Sequence, residues 1–242
     1  MPENILEINR NGLVMKVNAD KTPSNPGFWQ SENWESDTFK TMRRFLDKQH
    51  SYIDIGAWIG PTVLYGCQLA KRCYAVEPDK VALGILKENI ALNGFKNITV
   101  FDGAVWGRNG EKRLGLRGSW GSSMSSFLKK RPKKTIKVDC VTLQTLFERY
   151  NITDCNFIKM DTEGAEVEIL KSAGEFLKGT GITLHLSVHK PFFKRKKKDT
   201  EEVIKVLEQY KHLYLDNGEE VSAGYLRGAE VFLNFIATDR GL

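Results

Sequence analysis

The sequence predicts an α/β fold, a mostly parallel β-sheet with helices on both faces. Three observations carry this prediction. From residue 51 onward, short apolar runs alternate with segments of helical periodicity. Acids and glycines stand directly after those apolar runs, and open α/β sheets bind ligands outside the carboxyl ends of their strands. The chain has 242 residues, 41 % hydrophobic and 27 % charged, which is ordinary globular composition with length enough for a sizeable core.

The elements follow in order. Two apolar runs at 5–8 and 13–17 flank Asn11-Gly12, whose readiness for positive φ suits the tight turn of a hairpin. A loop with Pro23, Pro26 and Gly27 comes next, then a helix over 36–47 that spaces Phe39, Met42, Phe45 and Leu46 helically. Strand 52–55, helix 62–70, strand 73–76, helix 80–92 and strand 98–101 give the alternating rhythm, and Asn93-Gly94 supplies the C-cap of the second of these helices. Between 103 and 138 the rhythm breaks into a stretch rich in Gly, Ser and Lys, with strands near 112–116 and 135–138. Helices at 143–150, 166–177 and 201–210 and strands at 156–160, 182–188, 213–215 and 231–236 complete the pattern, and no internal repeat is visible. We expect one domain over 1–242, in which 1–50 form an N-terminal hairpin and helix and 103–140 a β-rich insertion or lid.

Composition narrows the function classes. Cys67, Cys73, Cys140 and Cys155 form no C-x-x-C pair, so neither a disulfide framework nor a zinc site is expected, and reduced thiols in a cytoplasmic protein are. No apolar run approaches the ~20 residues that span a bilayer, and the first residues lack a signal-peptide core. Lysine and arginine exceed acids by 36 to 30, a net charge of +6, and the excess is local. One cluster is Lys129, Lys130, Arg131, Lys133 and Lys134, and the other is Lys194, Arg195, Lys196, Lys197 and Lys198. Asp199, Glu201 and Glu202 follow the second cluster and weaken its field, so a solvated loop or helix start is favoured over a nucleic-acid surface.

The strand ends read as a nucleoside pocket. Strand one runs into Asp54, Gly56, Ala57, Trp58 and Gly60, strand two into Glu77, Pro78 and Asp79, and strand three into Asp102, Gly103 and Ala104. Glu77 stands 23 residues after Asp54, near the ~20-residue offset of an acid that grips a ribose. The glycine spacing is G-x-x-x-G rather than G-x-G-x-x-G, and no Walker lysine follows. An acid at Asp54 repels a pyrophosphate and attracts a cationic amino-acid ligand. S-adenosylmethionine, with a ribose, an adenine, an ammonium, a sulfonium and no phosphate, fits these groups better than NAD does. Trp58 packs over that ligand or into the core, and Trp120 in the insertion is a candidate to stack on a sugar ring.

Four stretches, YIDIGAWIG at 52–60, AVEP at 75–78, ENIALN at 88–93 and FIKMDTEGAE at 157–166, carry a resemblance to the FkbM family of S-adenosylmethionine-dependent methyltransferases. The last is the most specific to that family; the first is shared by most class I methyltransferases. The resemblance runs over 34–188 and implies a Rossmann-like, seven-stranded sheet with its last strand antiparallel, and methyl transfer to an oxygen of a sugar or polyketide-like hydroxyl. It implies that Glu35 and Thr38 lie near the cofactor, that Asp54, Gly56 and Gly60 form its loop, that Glu77 holds the ribose, and that Asp102 and Ala104 frame the adenine. Ser122, Ser123 and Ser125 fall in a serine-containing loop that the family also carries. Ala57, Pro78 and Gly103 complete the expected cofactor set. The chain departs from the family at Ser187, where an acid two residues before His189 is usual.

The reacting end is expected after strands four and five. Asp161 ends strand four, Glu163 follows, and Gly164 permits a sharp turn. His185, Ser187 and His189 share one strand face, with His189 at the carboxyl end where ligands bind and His185 read as a core residue. Asp161 and His189 are candidate general bases, and Glu163 a residue that places the acceptor. Two carboxylates and an imidazole are also able to hold a divalent cation, but no tight motif marks a metal site and none is expected. The expected activity is O-methylation of a sugar, glycan or secondary metabolite. The alternative is an RNA methyltransferase using the basic clusters, against which stands the lack of an N-P-P-Y-type motif. A non-catalytic nucleoside-binding protein is disfavoured by the intact acids.

Overall fold

The turn between the first two strands adopts the backbone its sequence asks for: Asn11 and Gly12 have φ of 49° and 83° and join β1 (Ile5–Arg10) to β2 (Leu13–Asn18). The structure, a computed structural model, describes residues 4–23, 26–115, 121–122, 125–127, 134–229 and 231–242. Trp120, Ser123 and most of the first basic cluster lie outside the described residues.

Helix α1 (Ser36–Phe45) leads to strand β3 (Ser51–Ile55), which begins the repeating units. Then come α2 (Pro61–Gly66), β4 (Arg72–Val76), α3 (Lys80–Asn93) and β5 (Ile98–Phe101). Three short strands follow, β6 (Ala104–Val105), β7 (Gly110–Gly115) and β8 (Thr135–Val141). The chain resumes alternation with α4 (Leu143–Tyr150), β9 (Cys155–Met160), α5 (Glu166–Leu177), β10 (Thr183–Val188), α6 (Lys196–Leu207), β11 (His212–Leu215), α7 (Tyr225–Gly228) and β12 (Leu233–Thr238).

The main sheet has seven strands in the order β11-β12-β10-β9-β3-β4-β5. Only β12 runs against its neighbours, so the last strand is antiparallel. The two-residue period of a strand divides the core into two layers. Ile53, Ile55, Ile158 and Leu184 face α4, α5 and α6, while Tyr52, Cys73, Ala75 and Phe157 face α1, α2 and the hairpin. A separate three-stranded sheet, β6-β8-β7, holds the residues between the two halves.

The asparagines of the ENIALN stretch tie the hairpin to the sheet. Asn89 accepts from the Asn18 amide at 3.1 Å and donates to the Ile59 carbonyl at 3.0 Å, and Asn93 accepts from the Lys16 amide at 2.8 Å. The hairpin, α3 and the glycine loop after β3 are thereby fixed as one unit.

Several boundaries differ from the sequence pattern, among them those of α6, α2 and β12. Helix α6 starts at Lys196, ahead of the expected 201, because Asp199 reaches back to the Arg195 amide at 2.9 Å and closes a first turn out of the basic run. Helix α2 stops at Gly66, where the chain passes so close to Tyr52 that a Cβ would lie 2.5 Å from its hydroxyl. Strand β12 begins two residues later than expected and leaves Val231 and Phe232 exposed. Among the described residues no helix is long and apolar enough to cross a membrane.

Candidate active site

A cavity of about 510 Å³ opens at the carboxyl ends of β3, β4, β9 and β10, within the ~300–1,000 Å³ usual for small-molecule sites. Its floor is the turn after β3. Gly56 has φ of 90°, and a Cβ there would stand 1.8 Å from the Asp161 carbonyl oxygen, so only glycine lets this turn lie against the end of β9. The Gly56 and Ala57 amides both donate to the Val76 carbonyl at 3.0 Å and seat the turn on β4.

One end of the cavity is organised around Glu77. Its two oxygens accept from the Trp58 amide at 2.7 Å and the Asp79 amide at 2.8 Å. Burial pushes its carboxyl up to about 8, against the pull of those two amides. Asp79 caps α3 through the Val81 and Ala82 amides, and its other oxygen accepts from the Gly121 amide at 3.0 Å and the Ser125 hydroxyl at 2.8 Å. The Trp58 indole donates to the Gly121 carbonyl at 2.6 Å. Phe28 stands 4.7 Å from Trp34 and 5.1 Å from Trp58, centroid to centroid, and the three rings form an aromatic wall.

Beneath the floor lies a buried charge pair. Asp54 is wholly buried on β3, and its nearest cation is the Lys159 ammonium on β9, at 3.9 Å. Burial raises the Asp54 pKa while Lys159 opposes the rise. Lys159 also stands 3.6 Å from Asp161. Burial would lower its pKa, but Asp54, Asp161 and Glu35 hold the ammonium above its ordinary range.

The other end gathers Asp161, Glu163 and His189. His189 Nδ1 donates to Glu166 Oε1 at 2.9 Å, and Nε2 stands 3.5 Å from Asp161 Oδ1 and 3.8 Å from Glu163 Oε1. The same Glu166 oxygen accepts from the Thr162 amide at 3.2 Å, the Thr162 hydroxyl at 3.0 Å and the Gly164 amide at 3.0 Å. Burial would lower the His189 pKa, but Glu166, then Asp161 and Glu163, push it up to about 9. Phe192 stacks parallel on the His189 ring at 5.9 Å, and the half-exposed Phe232 lies 5.2 Å away.

Of the residues expected from sequence, Glu35, Gly56, Ala57, Glu77, Pro78, Ala104, Asp161, Glu163 and His189 line this one cavity. Thr38 is buried behind Glu35 and donates to its carboxylate. Asp54 lies under the floor, and Gly60 caps α2 away from the wall. Asp102 turns outward to pair with Lys80, and Gly103 packs against the Asp139 carbonyl. His185 is buried and bonded to Asp216 at 2.8 Å. The sequence reading did not single out Lys159, Glu166, Phe28 or Trp34. Lys159 and Glu166 carried a signal, as charges set among apolar residues of the FIKMDTEGAE stretch, while the two aromatics reach the site from a distant loop.

The model of the methyltransferase FkbM domain matches residues 54–214. The chain belongs to the FkbM methyltransferase family. A solved FkbM methyltransferase from Methylobacillus flagellatus KT superposes over 90 % of this chain and 56 % of its own, with 14 % identity and a TM-score of 0.50. A TYW2 from M. jannaschii, solved in complex with AdoMet, covers 98 % of this chain and 85 % of its own at 16 % identity and a TM-score of 0.49. An uncharacterized protein of Methanocaldococcus jannaschii is 34 % identical over 62 residues, 26 % of this chain and 24 % of that one. This FkbM member thus spans about half the length of the solved FkbM structure and a quarter of the curated relative. Its sheet order and single antiparallel strand are those of the class I methyltransferase fold.

Proposed function

We propose that this FkbM member transfers a methyl group from S-adenosylmethionine to a hydroxyl oxygen of a sugar, glycan or other small metabolite. One observation carries the reading: a single cavity has a backbone-aimed carboxylate, Glu77, at one end and the Asp161, Glu163 and His189 group at the other. The residues fit the cofactor. Each Glu77 oxygen keeps acceptor capacity beyond its amide bond, enough for two ribose hydroxyls. Glu35, Asp161 and Glu163 make the lining acid-rich, which favours an ammonium and a sulfonium and repels a pyrophosphate. Ala104 and Val105 offer an apolar surface suited to the adenine. When bound, the cofactor supplies a methyl carbon activated for in-line displacement by its sulfonium.

The chain's own residues align the acceptor and take its proton. Alignment of two reactants is worth ~7–11 kcal/mol, and a general base ~10²–10⁴-fold in rate. Asp161 Oδ1, 3.5 Å from the His189 ring that Glu166 orients, is the proton acceptor. Glu163 places the acceptor. Leu114 of β7 and Ser125 and Phe127 of the stretch after it close one side of the cavity, which supports the reading of 103–140 as a lid.

The test begins with calorimetric titration of S-adenosylhomocysteine into wild type and Glu77→Ala, followed by an acceptor screen starting with glycans. Binding weakened by about 10–100-fold in the variant is expected. Absence of binding to folded wild type sinks the cofactor reading, and full turnover in both Asp161→Asn and His189→Ala sinks the assignment of roles. RNA methylation is a second reading, favoured by the exposed lysines in the first turn of α6, beside Phe192. Its mark is retention on heparin that charge reversal of 194–198 abolishes.

A further inference from the structure

We propose that Asp161, Glu163 and His189 form a site for one divalent cation of the magnesium or manganese class, at the acceptor end of the cavity. One oxygen from each carboxylate and a ring nitrogen of His189 all lie within 4.8 Å of one another. The separations of Nε2 from the two carboxylate oxygens, 3.5 and 3.8 Å, are too long for good hydrogen bonds. They fall between the ~2.9 Å of adjacent ligands and the ~4.2 Å of opposite ligands on an octahedral ion with bonds of ~2.1 Å.

The surroundings of His189 are those of a metal ligand. The residue is buried, with its side chain 10 % exposed, and its Nδ1 is engaged by a wholly buried carboxylate, Glu166. That leaves Nε2 as the nitrogen presented to the cavity, in the carboxylate–histidine–metal order by which proteins fix a ligating imidazole. Glu166 also grips Thr162 and Gly164, the residues on either side of Glu163, so one carboxylate sets all three ligands.

The donor set also names a substrate class. Two carboxylates and one imidazole suit a hard, oxygen-preferring ion, and three protein ligands leave three of its six positions open. An acceptor with two adjacent oxygens, such as a vicinal diol of a sugar, would chelate the ion there. The bound hydroxyl would become more acidic before methylation, because the ion stabilises the alkoxide, and its proton would pass to the Asp161 oxygen that does not hold the ion. This use of the ion rests on the proposed methyl transfer; the site itself does not.

The experiment is a titration of metal-stripped wild type with manganese chloride alone, followed by electron paramagnetic resonance. One tightly held ion per chain is expected, with an upward shift in melting temperature. Glu163→Gln and Asp161→Asn should weaken binding at least as much as Glu166→Gln, for which loss of an outer-shell partner implies about 10–100-fold. Wild type that holds no manganese and shows no thermal shift with manganese or magnesium overturns the proposal, as does binding unchanged in folded Glu163→Gln and Asp161→Asn. Should all three variants fail to fold, the wild-type titration decides alone. A parallel titration of wild type with S-adenosylhomocysteine separates the two readings: manganese without the nucleoside leaves the metal site standing and removes methyl transfer, and the nucleoside without manganese does the reverse.

Discussion

The two ends of the cavity are built from different materials. At the Glu77 end the positions are set by main chain: two amides aim the carboxylate, two more seat the turn after β3, and the turn fits only because Gly56 has no side chain. At the His189 end they are set by side chains that converge on one buried carboxylate, Glu166. Backbone contacts depend on the fold and tolerate changes of sequence around them. Side-chain contacts depend on a few residue identities. A conserved ligand is best held by the first kind and a variable one by the second, which is the division expected when a shared cofactor meets acceptors of many kinds.

The contrast can be broken from either side. The largest effect is expected from Gly56→Ala, which adds a methyl into the Asp161 carbonyl at a φ of 90°. It should abolish S-adenosylhomocysteine binding and lower the melting temperature by several degrees, since left-handed strain alone costs about 1–3 kcal/mol. Asp161→Asn comes next, with turnover down by about 10²–10⁴-fold on any accepted hydroxyl. Single-turnover kinetics should place that loss in the chemical step. Glu77→Ala should weaken S-adenosylhomocysteine by about 10–100-fold, as expected for loss of hydrogen bonds to a charged group worth ~1.5–3 kcal/mol. Calorimetry on the two proteins checks it.

The smallest effect is one of pH. The Glu77 carboxyl, pushed up to about 8 by burial, keeps its proton in the free protein below that pH. Ribose hydroxyls donate to the ionised form, so binding releases the proton, and affinity should rise about tenfold per pH unit below 8 and then level off. Titrations at three pH values in two buffers of different ionisation heat would show both the slope and the released proton. The stability of the free protein runs the other way. The folded carboxyl binds a proton that the unfolded one, near 4.5, has lost, so this group's contribution falls as pH rises from 4.5 towards 8.

The same division explains what the sequence made legible. The alternation of strands and helices, the acid after β4 and the glycine turn after β3 are local patterns, and each sits where its period and turn chemistry require. Lys159 was harder to see because one lysine in an apolar strand is a feature only when its partners, Asp54 and Asp161, are known to flank it. Phe28 and Trp34 reach the cavity by packing on Trp58, from a loop whose own sequence has no period. Asp102 follows its strand as Glu77 does, yet it turns outward to Lys80, because a residue beyond the last strand pair faces either side of the sheet. The start of α6 was hidden in a basic run that becomes helical only through the reach of Asp199.

Glu166 has a consequence for the history of such a site. Four donors meet on its Oε1, while Oε2 has no hydrogen-bond partner among the described residues. Substitutions at 161, 163 or 189 each alter one member of the group at this end of the cavity, and selection can test them one at a time. A substitution at 166 disturbs all three at once and leaves no intermediate to select. Lineages that change their acceptor would therefore vary residues around His189, such as Phe192 and Phe232, and inherit Glu166 unaltered.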